Sequence, residues 1–569
     1  MIPESPYEIL DAIHTWFARP EPTLGLALSR ATLGAVLAYD GLRMLRDHDL
    51  WYGPRALRPA TTRRLPAWLD MFAWAERLGL PSRAVLVVMV VSAACFGLGL
   101  LTPMAGVVLF LACLAIPARN LFIVYGGDAF ARTLVLLLLC SPCDASLSLD
   151  RWLHDGSLGL SHQAGLWGGR LIAIEVALLY LYNCLCKQPL PAWRDGSYMF
   201  DLLRNANFAR SPLPRVLQSR MVGMVMTWGA LVTELVLGPL LLMPETAGVA
   251  CLLAIAFHLS IARVLDVHLF SQVMVAALLA CLPRVPLELL GGTGPLPVLA
   301  TPAWTVAHAV AMLAIAVYVV VAIAWDPPTP GWCSAQVRRI FGPALDAIHW
   351  VRSWRLFVDS SATHIELEIT AVMPDGTSLQ WAWDRVDGLA PGSAGPRPRS
   401  PVHRFQRFKL SMVTRPEACT VFVARLRETL AAAGVRPRAL SVDALYVDVH
   451  TRQVLGGKTL HTEVASSRTA GFDYEACARL VRDVRCPPTR KQLLELLLLA
   501  GLDAAVRDRP RAGLVGGLAT VTSAPDRLHP HERALDPLDP ANAARLRQHG
   551  RRIDDPVERA MLLGALDRL

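Results

Sequence analysis

The dominant pattern along the chain is a series of long apolar runs separated by short polar segments. A membrane-spanning helix needs about 20 mostly apolar residues. Runs near that length lie at residues 24–40, 84–102, 104–118, 132–148, 169–186, 222–243, 247–263, 267–283 and 303–325. They predict an all-α polytopic membrane bundle of about nine helices. Several runs are short or carry polar residues, so re-entrant segments could account for one or two of them.

Composition indicates the same class of protein. Hydrophobic residues make up 53% of the 569-residue chain and the mean hydropathy is +0.38. Only 18% of the residues are charged, against about 25% in soluble domains. The sequence therefore predicts an integral membrane protein in contact with the lipid bilayer.

The pattern of apolar positions changes after the segment "WDPPTPGW", residues 325–332. Beyond it, "HIELEIT" and "SLQWAWDRV" alternate apolar and polar residues on either side of "MPDG", which predicts a β-hairpin. A helix over about 416–433 closed by Gly434, a strand in "ALSVDALYVDVHT" and a further helix near 489–506 follow. These elements predict a small soluble α+β domain.

The chain is accordingly divided into four parts. They are an N-terminal segment (1–23), a transmembrane domain (24–325), a soluble α+β domain (335–506) and an Arg/Pro-rich tail (507–569), which we expect to be partly disordered. Positive charge concentrates after residue 330, with 34 basic and 26 acidic residues. No lysine-rich run accompanies these arginines, so we predict a solvated surface and no nucleic-acid partner. A protein partner could bind the soluble domain.

Arginines in the loops predict the orientation in the membrane, because positively charged short loops tend to remain in the cytoplasm. Segment 41–83 carries eight arginines, and segment 187–220 carries Lys187 and five arginines. With nine spans, both segments fall on the same side as the C-terminal domain. We expect a multi-pass protein of the cell (inner) membrane with a cytoplasmic C-terminal domain.

Lys187 is the strongest candidate for chemistry in the membrane region. The chain has 52 arginines and four lysines, and Lys187 is the only lysine in the first 408 residues. Lysine can lose its proton when desolvated, and a neutral amine can act as a general base. A lysine at the end of a span commonly extends to the interface. Against that interpretation, Asn183 lies one turn earlier on the same face and Glu175 lies deeper in the span, which suggests a polar pocket.

Other ionisable residues inside apolar runs are functional hypotheses, because charge is costly in the membrane interior. Glu234 and His258 lie in the sixth and seventh runs; the alternative is an internal pair or hydrogen bond that supports helix packing. Asp128 follows two glycines before an apolar helix, which it could cap. No spacing typical of a metal or dinucleotide site is present, and Cys140 and Cys143 are interpreted as structural.

The order of several motifs resembles the horizontally transferred transmembrane (HTTM) family, whose best-known members are vitamin K-dependent gamma-glutamyl carboxylases. "RNLFIVYGGDAFARTLVLLLL" resembles the family's asparagine and Gly-Gly-Asp segment, and "ASLSLD", ending at Asp150, resembles its Ser-hydrophobic-Asp sequence. "CKQPLPAWRDGSYM" is similar to its lysine, tryptophan and acidic-Gly segment. "FHLSIARVLDVHLFSQVM", residues 257–274, is similar to its Phe-His and Leu-Phe-Ser segment. The resemblance covers residues 20–325.

The resemblance implies a chemical role for Lys187. In that family the matching lysine is taken to be the base that deprotonates reduced vitamin K. Oxygen converts the quinol anion to a stronger base, which removes a glutamate γ-proton before carbon dioxide adds. The implied catalytic residues are Lys187 and His258, and the implied cofactor is a reduced quinone. The resemblance adds Asn183, Trp193 and Asp195 as residues around the substrate. Together with Glu175, Glu234 and Asp128, which are singled out by their positions in or beside the apolar runs, they are the predicted substrate-binding residues.

Two family positions differ in this chain. "CDASLSLD" has no histidine where carboxylases carry one, and Cys186 stands beside Lys187 in place of a second lysine. The sequence therefore predicts either a carboxylase-like lyase that abstracts a proton from a quinol-like or other lipophilic substrate, or a non-catalytic module that binds lipid or a membrane partner. A transporter is a third alternative, although no internal repeat is evident.

Overall fold

The computed structural model describes residues 20–59, 69–158, 160, 163–165, 167–205, 208–210, 214–282, 321, 331–347, 357, 363–382, 402–432, 434–451 and 453–464. The helices of seven or more residues are α1 (Leu24–Arg46), α2 (Met71–Arg77), α3 (Arg83–Leu98), α4 (Thr102–Arg119), α5 (Gly126–Leu139), α6 (Leu149–Asp155), α7 (Trp167–Lys187), α8 (Arg220–Leu242), α9 (Ala247–Val264), α10 (Phe270–Ala280), α11 (Gly331–Ala347), α12 (Val402–Thr414) and α13 (Pro416–Ala432). The strands are β1 (Pro20–Pro22), β2 (Gln163–Gly165), β3 (Thr363–Val372), β4 (Ser378–Ala382), β5 (Ala439–Asp448) and β6 (Val454–Val464).

Apolar helices coincide with the predicted runs in most of the described membrane region. Four of them, α4, α7, α8 and α9, are long and apolar enough to cross a membrane, and α3 and α10 are apolar but shorter. The run predicted at 132–148 is displaced: α5 spans Gly126–Leu139, because Asp128 caps its start and the "SPCD" turn ends it. The run at 303–325, except for residue 321, and the helix near 489–506 lie outside the described residues, so the count of nine stays a prediction.

Helices α1 and α3 cross at a pair of glycines. A Cβ atom placed on Gly34 would lie 2.4 Å from the Cα of Gly97, so the two backbones are too close for any side chain. Small residues at a crossing allow this approach in lipid, where helix association depends on packing because the surrounding tails are themselves apolar.

Gly34→Ala is therefore expected to lower the free energy of unfolding by about 1–3 kcal/mol, the usual cost of overpacking. Gly229→Ala on α8 is the matched control, since its Cβ would meet no atom within 4 Å. Denaturant unfolding in mixed micelles measures both. Equal stability of the two variants would contradict the close crossing.

The predicted soluble domain contains a four-stranded sheet in the order β4-β3-β5-β6. β3 and β4 pair antiparallel with Val372 opposite Ser378, which confirms the predicted hairpin. β5 pairs antiparallel with the other edge of β3. α13 ends two residues before Gly434, whose φ of +75° favours glycine, as the sequence predicted.

The sheet and α12 lie in the same compact unit as the helical bundle and contact one end of it. The rings of Trp51 and Phe408 are 5.6 Å apart. His450 Nε2 lies 2.8 Å from Asp201 Oδ1. Trp51 and Asp201 belong to the two arginine-rich loop segments, so both segments share an end with the soluble domain. Whether that end faces the cytoplasm stays a prediction.

Candidate functional site

A cavity of about 240 Å³ lies between α7, α8 and α9, near the soluble domain. Most of its lining is apolar, including Leu179, Met226 and Phe257. We call it the Lys187 pocket. Five of the predicted site residues line it: Lys187, His258, Asn183, Trp193 and Glu234.

Lys187 is the last residue of α7, and its side chain is only 2% exposed. Its Nζ donates a 2.6 Å hydrogen bond to Oε1 of Glu234 on α8. The lysine therefore does not extend to the interface, as a lysine at the end of a span commonly does. It forms a buried ion pair that links two helices of the bundle.

Aromatic rings complete the surroundings of the ammonium group. Nζ lies 4.6 Å from the ring centre of Trp193, a distance typical of cation–π contacts. The indole Nε1 donates a 3.0 Å hydrogen bond to the carbonyl of Phe357, and the indole stacks on Tyr198. These contacts fix the ring against Lys187. Phe357, which precedes the soluble sheet, also lines the pocket.

His258 and Tyr180 contribute further polar groups to the pocket lining. The Tyr180 hydroxyl and His258 Nε2 are 2.9 Å apart, and both side chains are buried. Among the described residues, neither Nδ1 of His258 nor Oε2 of Glu234 has a hydrogen-bond partner. A buried polar atom without a partner costs about 1–3 kcal/mol, so two such atoms on residues that line one cavity favour a polar ligand group beside them.

Three predicted substrate-binding residues lie outside the pocket lining. Glu175 is buried in α7. Asp195 is exposed, and its Oδ1 accepts a 2.8 Å hydrogen bond from the Ser197 N–H. Hydrogen bonds from Ser197 lower the pKa of Asp195, so this carboxylate stabilises a turn. Asp128 accepts from the Tyr125 N–H, which confirms the predicted cap.

A second buried polar cluster was not predicted as a unit. Asp128 and His268 lie with Asp40 of α1, close enough for their ligand atoms to share one cation. Arg404 of the soluble domain places its guanidinium against both carboxylates. Asp40 and Arg404 were missed, because nothing local in the sequence relates residues so far apart.

These features define a polytopic membrane protein with a buried ion pair in a mostly apolar cavity. Residues 19–284 match the family model of the HTTM domain, and this part of the chain is an HTTM domain. The match includes the pocket residues of α7 to α10 and ends before the soluble domain. Comparison with curated proteins and with solved structures found no match.

Proposed function

We propose that the Lys187 pocket binds a lipophilic molecule with a weakly acidic hydroxyl group, such as a quinol, and accepts its proton. One observation carries the proposal. Among the described residues, Glu234 Oε2 and His258 Nδ1 are buried without a hydrogen-bond partner, and both residues line a cavity whose walls are mainly apolar. A hydroxyl-bearing headgroup would satisfy such atoms, and an apolar tail would suit the remaining walls.

The proton has two equivalent routes from the ligand to the ion pair. In one, the O–H bond breaks and the Glu234 carboxylate takes the proton, while Lys187 remains an ammonium. In the other, Glu234 already holds the proton that the pair shares, and the neutral Lys187 amine is the base. Both routes end with an ammonium on Lys187, a protonated Glu234 and an oxyanion on the ligand. The ammonium stabilises that oxyanion strongly because the site is shielded from water.

The lipid-facing side of the pocket supports a ligand that comes from the bilayer. Gly229 of α8 and Ser260 of α9 line the cavity and are also exposed on the outside of the bundle. Neighbouring exposed side chains, such as Val225 and Leu259, are apolar. A tail could therefore leave the pocket between α8 and α9 without contacting water.

Binding of a decyl-substituted quinol to the full-length protein in lipid nanodiscs tests the proposal. We expect saturable binding, and about tenfold or more weaker binding of the quinol dimethyl ether, which cannot donate a hydrogen bond to a charged group. Lys187→Met should lose a similar factor. Lys458→Met is the matched control, since that lysine is exposed on β6. Equal affinity for quinol and ether would overturn the proposal.

A non-catalytic lipid-binding module is the second candidate. It is favoured by the Glu234 carboxylate, which already neutralises the Lys187 ammonium. The absorption spectrum of the bound quinol separates the two functions, because only proton abstraction produces the quinolate band. Lys187→Arg then distinguishes the routes, since arginine keeps the charge but does not act as a neutral base.

A further inference from the structure

The cluster around Arg404 joins the soluble domain to the membrane bundle. Arg404 lies in the first turn of α12, and its side chain is only 1% exposed. Its Nη2 lies 2.8 Å from Asp40 Oδ2 and 3.2 Å from Asp128 Oδ1. His268 Nε2 lies 3.6 Å from Asp40 and 3.8 Å from Asp128. We call these four residues the Arg404 clasp.

Opposite charges stabilise the Arg404 clasp. Burial by itself lowers the pKa of Arg404, but the carboxylates of Asp128 and Asp40 outweigh that effect and raise it. The guanidinium is therefore a permanent cation between two buried anions. Removing it would leave two like charges together at low dielectric, which is unfavourable unless the helices separate or a proton binds.

The clasp is connected to the Lys187 pocket through the start of α10. His268 adopts a left-handed backbone with φ of +55°, two residues before Phe270. Phe270 lines the pocket and packs its ring edge-on against His258, with ring centres 5.8 Å apart. The same turn therefore supplies a member of the clasp and a wall of the pocket.

The Gly-Gly-Asp motif makes the second connection. Asp128 belongs to the clasp, and Gly127 beside it faces α10. A Cβ on Gly127 would lie 3.0 Å from the backbone nitrogen of Phe270, closer than nearly all real Cβ contacts. Because Gly127 has no side chain, the backbone at the start of α5 packs directly against the backbone at the start of α10.

From this geometry we infer that Arg404 is a positioning residue for the Lys187 pocket. By holding Asp40, Asp128 and His268 together, the soluble domain sets the start of α10, and Phe270 then orients His258 toward the ligand. The soluble domain is thus part of the site and not a separate appendage. The effect on ligand binding rests on the proposed function, whereas the effect on α10 does not.

Hydrogen exchange of the ligand-free protein tests the positioning directly. We expect Arg404→Gln to raise amide exchange in the segment 265–274 about tenfold or more, because the start of α10 loses its anchor. Arg407→Gln is the matched control: Arg407 lies on the same helix and donates to the Val124 carbonyl, but contacts no carboxylate of the clasp. Unchanged exchange in Arg404→Gln would overturn the inference. Asp40→Asn provides the same comparison if Arg404→Gln does not fold.

Binding of the decyl quinol tests whether the Arg404 clasp affects ligand affinity. Arg404→Gln and Asp40→Asn should each weaken binding about tenfold, and the double variant should be little weaker than either, because both remove one interaction. If wild type binds in a Lys187-dependent way and Arg404→Gln binds equally well, the inference fails and the proposed function stands. If wild type does not bind, the proposed function fails and the exchange measurement alone decides the inference.

Discussion

Lys187→Met is expected to lower the free energy of unfolding by about 3–5 kcal/mol, the usual cost of removing one partner of a buried ion pair. The variant leaves the Glu234 carboxylate, whose side chain is only 6% exposed, without its counter-ion. Methionine fills most of the lysine volume, so a cavity contributes little to the loss. The charge left unpaired accounts for most of the expected effect.

A double-mutant cycle isolates the pair. Lys187→Met combined with Glu234→Gln should recover most of the loss, since removing both charges removes the penalty of leaving one alone. The free energies are measured by denaturant unfolding of the four proteins in mixed micelles, with Lys458→Met expected within about 0.5 kcal/mol of wild type. A stable Lys187→Met single variant would mean that water or a lipid headgroup already solvates Glu234. That result would also remove the basis of the proposed chemistry.

The sequence identified both members of this pair but not their contact. Lys187 was prominent because it is the only lysine in a long arginine-rich stretch, and Glu234 because it interrupts an apolar run. Their pairing depends on how α7 lies beside α8, which a single sequence does not specify. For the same reason the Arg404 clasp was not predicted: Asp40 and Arg404 meet only through the docking of the soluble domain.

Local patterns predicted elements of secondary structure but not the contacts between distant elements. Apolar runs located helices because a span must be apolar over its whole length, and alternation located the β3–β4 hairpin. Asp128 was interpreted as a helix cap, which holds for its contact with the Tyr125 N–H. Its other oxygen contacts Arg404, a role that no local pattern indicates. Asp195 is exposed beside the pocket, and its role in substrate binding stays a prediction.

Arg30 is a further buried residue that the sequence did not single out. It lies within the first apolar run, and its side chain is fully buried. Its guanidinium donates to three backbone carbonyls: Nη1 to Phe96 at 2.8 Å, Nε to Cys143 at 3.0 Å and Nη2 to Leu147 at 2.6 Å. It thus ties α1 to the last turn of α3 and to the turn after α5.

Arg30→Met is expected to lower the free energy of unfolding by about 3–5 kcal/mol, because it removes the side-chain donor of the Cys143 and Leu147 carbonyls. The Phe96 carbonyl keeps the N–H of Gly99 as a donor. Arg30→Lys should recover only part of this, since a compact ammonium does not reach three acceptors as a planar guanidinium does. Denaturant unfolding measures both, with the exposed Arg220 replaced by methionine as the control. Full stability of Arg30→Lys would show that charge alone, and not the shape of the donor, is required.

The position of Arg30 separates this structural role from the proposed chemistry. Its contacts lie in the last turn of α3 and after the end of α5. Gly168 at the start of α7 packs against Ser141, which follows α5. Lys187 is at the other end of α7, so folded Arg30→Lys should bind the decyl quinol within about twofold of wild type. A larger loss of affinity in that variant would mean that the two ends of the bundle are coupled. The pocket would then depend on the packing of the whole bundle, and not only on α7 to α10 and the Arg404 clasp.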